Sequence, residues 1–192
     1  MPGKLVLIIG PSGVGKSVIL NKLRVRHTEF HFPRSATTRP RRDGEGDDLY
    51  RFVSDSEFDK LLRENKILEW AMVHAGARYG TLISEIVPQM EEGKIVVREV
   101  DVQGFDSIRK HSLFSGDAPR YCLQSIFILP ESREQMVTHI TKRAPIGGEE
   151  LKRRLASMEN ELGYAVLCNR RVKNVEGKLE ETLQNVEKCI IE

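Results

Sequence analysis

The sequence carries almost no net charge: 30 basic residues against 28 acidic ones leave +2 at neutral pH. A broad nucleic-acid surface leaves a larger basic excess, so positive charge can act here only through local clusters. Cysteine is scarce. Cys122, Cys168 and Cys189 are odd in number and far apart, with no Cys-x-x-Cys pair. That argues against zinc or a dithiol redox motif and makes reduced thiols in a cytoplasmic protein the expectation. Long apolar runs are missing too. Nothing approaches the ~20 residues needed to span a bilayer, and Leu5–Ile9 is too short for a signal-peptide core. The ending Cys189-Ile190-Ile191-Glu192 has the outline of a prenylation box, but glutamate is not a usual last residue there. There is no internal repeat and no low-complexity segment. The expectation is a protein without nucleic-acid or membrane partners, a monomer or a small homo-oligomer.

What is present suits one compact domain: 192 residues, 40% hydrophobic and 30% charged. Leu5–Ile9 reads as a strand buried on both faces, and Ser17–Arg26 repeats its apolar residues at helical spacing. Strand, glycine turn and helix in that order open an α/β protein. Downstream, helices are predicted over Ser56–Asn65 (with Ser54 or Ser56 as cap), Ile83–Glu92, Ser132–Arg143, Glu149–Leu162 and Val175–Ile191. Strands are predicted over Ile67–Val73, Lys94–Val102, Tyr121–Leu129 and Ala165–Cys168. Gly116 and Pro119 mark Asp106–Arg120 as a surface loop.

Between the first strand and helix, Gly10-Pro11-Ser12-Gly13-Val14-Gly15-Lys16-Ser17 matches G-x-x-x-x-G-K-S/T in full and in the required context. Glycines there allow a curled backbone whose N–H groups converge, adding to the positive helix terminus to hold polyphosphate. Lys16 would reach the β- and γ-phosphates and the Ser17 hydroxyl would ligate Mg²⁺. ATP is the expected donor, although the loop alone does not separate a kinase from a GTPase.

Residues 34–52 change character, mixing Arg34, Arg39, Arg41, Arg42 and Arg51 with Gly44, Gly46 and Asp47-Asp48. Taken alone, that cluster is a solvated basic loop or a nucleic-acid patch. It does not stand alone. Ser35-Ala36-Thr37-Thr38-Arg39, Arg42, Gly44-Glu45 and Tyr50 are followed by Glu69-Trp70, Tyr79-Gly80-Thr81 and Glu99-Val100-Asp101-Val102-Gln103-Gly104. Together with the phosphate loop, these pieces resemble the guanylate kinase family over nearly the whole chain.

The resemblance implies a P-loop α/β fold with a mostly parallel central sheet and flanking helices. Its core would cover about 1–32, 85–132 and 150–192, with a GMP-binding flap over about 33–84 and a lid over about 133–149. It implies transfer of the γ-phosphate of ATP to GMP, or to dGMP, with Mg²⁺. Arg39 and Arg42 would clamp the GMP phosphate through forked hydrogen bonds, aided by Ser35, Tyr50 and Tyr79. Glu69, Thr81 and Asp101 would read guanine, and Glu99 would reach the metal through water. Arg143 and Arg154 would be lid arginines, with Lys16 the third catalytic cation; Asn169 would sit near the adenine. The acceptor phosphate is already ionised near neutral pH, so no histidine base is required.

The chain departs from the family pattern at several points. Proline comes one place early in Arg39-Pro40-Arg41-Arg42, and the element before Tyr50 is one residue short. His74–Tyr79 is one residue longer than usual. Glu99 replaces an aspartate, His139 a lid arginine, and Asn169-Arg170 the usual Asn-Asp after the last strand. Two other readings share parts of the pattern. One is ribose 1,5-bisphosphate phosphokinase, which has no guanine to read. The other is a non-catalytic guanylate-kinase-like interaction module, whose phosphate loop is typically degraded.

Overall fold

In chain order the elements are β1 (Lys4–Ile9), α1 (Lys16–Arg26), β2 (Ser35–Thr37), β3 (Tyr50–Phe52), α2 (Asp55–Arg63), β4 (Ile67–Met72), β5 (Arg78–Leu82), α3 (Ile83–Glu91), β6 (Val96–Glu99), α4 (Val102–Lys110), β7 (Cys122–Pro130), α5 (Gly148–Leu162), β8 (Arg170–Asn174) and α6 (Leu179–Ile191). The computed structural model describes residues 3–72, 76–132, 134–138 and 147–192. Two four-stranded sheets form, in the orders β6-β1-β7-β8 and β3-β2-β5-β4. The first is the mostly parallel central sheet. Contacts divide the chain into two units: Met1–Leu5 with Glu29–Val97 and Gln103–Leu123, and Val6–Thr28 with Arg98–Val102 and Gln124–Glu192.

The second unit holds the phosphate loop. Its strands β1 and β7 are inner strands of the sheet, so they read as unbroken apolar runs: Val6–Ile9 and Ile126–Ile128 are all fully buried. Ile19 and Leu23 of α1 are buried, as are Leu183, Val186 and Ile190 of α6. The two helices are also tied by Arg26, which bonds Glu180 at 2.5 and 3.0 Å. No helix among the described residues is long and apolar enough to cross a membrane.

The first unit holds the second sheet. There β2 pairs with β3 in parallel and with β5 antiparallel, and β5 pairs antiparallel with β4. Helix α2 starts where its sequence directs. Ser54 Oγ accepts from Glu57 N at 3.1 Å, and Asp55 and Glu57 sit on the positive end of the helix dipole. Its apolar face brings Phe58, Leu61 and Leu62 against Ala36, Leu82, Val53 and Ile67. Gly80 lets that packing close in, since a Cβ there would stand 3.1 Å from both Phe58 Cζ and Ile67 Cγ2. Arg78 holds the helix from the sheet side through Asp55 at 2.7 Å and Asp59 at 2.5 Å.

Two expectations from the sequence are corrected. The stretch assigned to a surface loop from Asp106 begins inside α4, which buries Phe105 and Ile108 on one face and pairs Asp106 with Arg109 and Lys110. Starting the loop at Asp106 cut this short amphipathic helix in half. The apolar residues Ala165–Cys168 are not a strand. They close a 3₁₀ turn over Gly163–Leu167, and the strand follows as Arg170–Asn174. That strand lies at the sheet edge and buries only Val172, so its charged side chains hid it from a search for apolar runs. The predicted helix over Ser132–Arg143 is helical at 134–138, and 139–146 lie outside the described residues.

Candidate active site

The phosphate loop leaves the end of β1 and enters α1 at Lys16. Gly10 has φ +153°, and a Cβ on it would lie 2.6 Å from the Ile128 carbonyl oxygen. Gly15 caps α1 at φ +97°, the left-handed region that glycine enters without steric cost. Lys16 Nζ arches back over the loop, donating to the carbonyls of Gly10 at 2.7 Å and Pro11 at 3.1 Å. Ser17 Oγ donates to Glu99 Oε1 at 3.3 Å. Glu161 Oε2 accepts from Ser12 N at 3.0 Å, and Asn174 Nδ2 donates to the Val14 carbonyl at 2.9 Å.

The other unit gathers the acceptor residues by strand register. Ser35 stands opposite Tyr50 on one side and Thr81 on the other, Thr37 opposite Tyr79, and Thr81 opposite Glu69. Thr81 is fully buried and its hydroxyl donates to Glu69. The ladder between β4 and β5 ends with Met72 opposite Arg78. Arg39 Nε donates to Tyr79 Oη at 3.0 Å and its Nη2 to Glu45 Oε1 at 2.6 Å. Its guanidinium lies 5.3 Å from the Tyr50 ring centre, and Tyr50 meets Tyr79 edge to face at 5.7 Å. Arg42 is exposed; its backbone N–H donates to Glu45 Oε2 at 3.1 Å.

The phosphate loop thus lies in one unit, and the Arg39–Tyr79 and Glu69–Thr81 contacts lie in the other. The guanylate kinase family model matches residues 2–192. The chain belongs to the guanylate kinase family. It is 40% identical over 162 residues to the guanylate kinase of Thermobifida fusca, covering 84% of this chain and 78% of that one. It is 39% identical over 191 residues to that of Thermosynechococcus vestitus, covering 98% and 94%. The crystal structure of guanylate kinase from Anaplasma phagocytophilum superposes with a TM-score of 0.69 at 26% identity, over 99% of this chain and 85% of that one.

Set out along this guanylate kinase chain, the predicted residues fall into distinct groups. Ser35, Arg39, Arg42, Tyr50, Glu69, Tyr79 and Thr81 share one small sheet and its flanking turns. Glu99 and Asp101 belong to the phosphate-loop unit. Arg143 lies outside the described residues; Arg154 is placed by its backbone in α5, and its side chain lies outside them. Asn169 stands just before β8, and its Oδ1 accepts from both Ser125 N and Ser125 Oγ at 2.8 Å. With the last strand now at Arg170–Asn174, the asparagine at its carboxyl end, where parallel sheets bind ligands, is Asn174.

Sequence reasoning missed the part played by Glu45, although Gly44-Glu45 belongs to the motif. Its two oxygens join the Arg39 side chain to the Arg42 backbone. The Arg39 hydrogen bond, helped by the Arg42 N–H, holds the Glu45 carboxyl down at about 2. Arg39 is raised in turn, first by Glu45 and with help from Tyr79, against burial. A folded-state value below the ordinary carboxylate range gives stability that is fully present above that range and is lost progressively as pH falls from it through about 2. Carboxyl-carbon NMR of the wild type is therefore expected to show no Glu45 titration between pH 6 and 3.5. In Arg39→Ala the midpoint should return to about 4.3; a wild-type midpoint already near that value would dissolve the clasp.

Proposed function

We propose that this chain transfers the γ-phosphate of ATP to GMP, giving ADP and GDP, with dGMP as a second acceptor. The observation that supports it most directly is the ladder register that sets Glu69 against the buried Thr81, in the sheet that carries the Arg39–Tyr79 clamp. Guanine offers an acceptor at O6 and donors at N1 and the 2-amino group. Glu69 would accept from N1–H and the amino group, the Thr81 hydroxyl would turn to donate to O6, and Asp101 would accept from the amino group. Adenine presents a lone pair where N1–H should be, leaving the carboxylate unpaired. Arg39, Arg42, Ser35, Tyr50 and Tyr79 would hold the GMP phosphate.

On the donor side the loop N–H groups and Lys16 would hold the triphosphate, and Asn174, at the carboxyl end of β8 and bonded to the loop, would stand nearer the adenine than Asn169. The Ser17 hydroxyl and the Glu99 carboxylate are hard oxygen donors 3.3 Å apart, a set that fits Mg²⁺ shared with phosphate oxygens. Bound there, directly at Ser17 and through water at Glu99, Mg²⁺ would neutralise phosphate charge. An ionised oxygen of the GMP phosphate forms the new bond to the γ-phosphorus, and the bond to the β-phosphate oxygen breaks with its electron pair leaving on ADP. No side chain has to take a proton. Catalysis is alignment together with positive charge at the transferred group.

Arg143 and Arg154 would supply part of that charge from a lid over about 133–149 and the helix after it, and a flap over about 33–84 would carry the GMP. Arg143→Ala and Arg154→Ala are each expected to lower kcat by about a hundredfold with both KM values within a few-fold. Steady-state kinetics checks this, and wild-type turnover would remove that arginine from the mechanism. The reaction itself is tested by ATP consumption with Mg²⁺ against GMP, dGMP, AMP, UMP and ribose 1,5-bisphosphate. GMP turnover with little from AMP or UMP is expected. Turnover of the ribose bisphosphate alone would assign the sister phosphokinase, and silence across the panel would assign a binding module.

A further inference from the structure

We infer that Glu161 is a positioning residue of the phosphate loop, coupling the loop to the helix that carries Arg154; the inference rests on the phosphotransfer reading above. Glu161 lies in the last turn of α5. Its Oε2 accepts from the Ser12 backbone N–H at 3.0 Å, and its Oε1 accepts from Ser157 Oγ at 2.9 Å. One oxygen is thereby held by its own helix while the other grips the loop.

Electrostatics makes the choice of residue informative. A loop that must bind a triphosphate is the last place where a carboxylate helps by charge, since like charges repel. What Glu161 offers is reach and direction. The loop is held at three further backbone atoms, by Lys16 on the carbonyls of Gly10 and Pro11 and by Asn174 on the carbonyl of Val14. Those contacts take up acceptors and come from the loop itself and from the end of β8. The Glu161 contact takes up a donor and comes from α5, where positions 154 and 161 are two helical turns apart. Any shift of that helix is therefore passed to Ser12, so that the loop and position 154 move as one. In phosphoryl transfer an ångström of misalignment is costly, and this bond fixes the distance between two parts of the machinery.

The test separates reach from charge and from the underlying reaction. GMP-dependent ATP turnover by the wild type decides the phosphotransfer reading first. Three variants then follow. Glu161→Gln keeps length and a carbonyl acceptor for Ser12, so kcat/KM for ATP should stay within about threefold of wild type. Glu161→Asp keeps the charge and loses a methylene of reach, and Glu161→Ala loses both. Each of these is expected to lower kcat/KM for ATP by about tenfold, with the GMP KM unchanged. Thermal melting shows which variants are folded, and the Gln-against-Asp comparison stands even if alanine is not. Wild-type kinetics in Glu161→Asp overturns the inference. So does equal loss in the Gln variant, or tighter ATP binding in Gln and Ala alike, which would make Glu161 only an electrostatic brake.

Discussion

Lys16→Ala is expected to lower kcat by about a thousandfold, the scale seen when a preorganised charge is taken from a transition state. The GMP KM should stay within about threefold, because Arg39, Tyr50, Glu69, Tyr79 and Thr81 lie on or beside another sheet. In the structure the Lys16 ammonium is already over the loop, 2.7 Å from the Gly10 carbonyl and 3.1 Å from that of Pro11. It needs only to exchange those carbonyls for β- and γ-phosphate oxygens, where negative charge gathers as the bond breaks. The loop should keep its shape without it. Gly10 is fixed by its approach to Ile128, and Asn174 holds the Val14 carbonyl independently. Lys16→Arg is expected to rescue little, since a planar fork does not replace a compact charge inside a tight loop. A coupled ADP assay beside a melting curve decides the matter, and near-normal turnover in a folded Lys16→Ala would move the essential charge elsewhere.

Glu69→Ala is expected to raise the GMP KM by about a hundredfold and to narrow the GMP-to-AMP preference by a similar factor. Recognition built on buried hydrogen bonds rejects a mismatch because its own polar groups go unpaired, so removing the carboxylate removes the penalty as well as the attraction. Its partner makes the case sharper. Thr81 is fully buried and spends its hydroxyl on Glu69. Without the carboxylate that hydroxyl has to find a new acceptor, and the O6 contact loses its fixed direction. The sheet should survive, because residue 69 pairs with residue 81 through its backbone and Phe58 packs behind Gly80. Kinetics with GMP and AMP in parallel is the measurement. Selectivity equal to wild type would take Glu69 out of base recognition.

The sequence alone made the phosphate loop and the acceptor flap readable for the same physical reason. Both carry residue types that contact with an anion or a base would demand, and such residues leave dense local patterns. The glycines at 10, 13 and 15, the arginines at 39 and 42 and the Tyr79-Gly80-Thr81 run are of that kind. What was not readable depended on packing. Whether 165–168 or 170–174 is the final strand turns on which segment reaches β7, and a charged edge strand shows no apolar run. That single shift puts Asn174, where Asn169 was expected, at the carboxyl end of the last strand. The contacts made by Glu161 and Glu45 were also hidden, the first because it spans 149 positions of sequence and the second because a lone glutamate in a basic loop has many uses.

The charged strand that misled the sequence reading has a consequence for the life of the protein in concentrated solution. β8 closes one side of the central sheet and presents Arg170, Arg171 and Lys173 to solvent around the single buried Val172. An open strand edge is a template for another molecule's backbone, and exposed cations along it oppose such pairing. A partner strand that repels copies of itself lets the sheet close within one molecule and guards against aggregation.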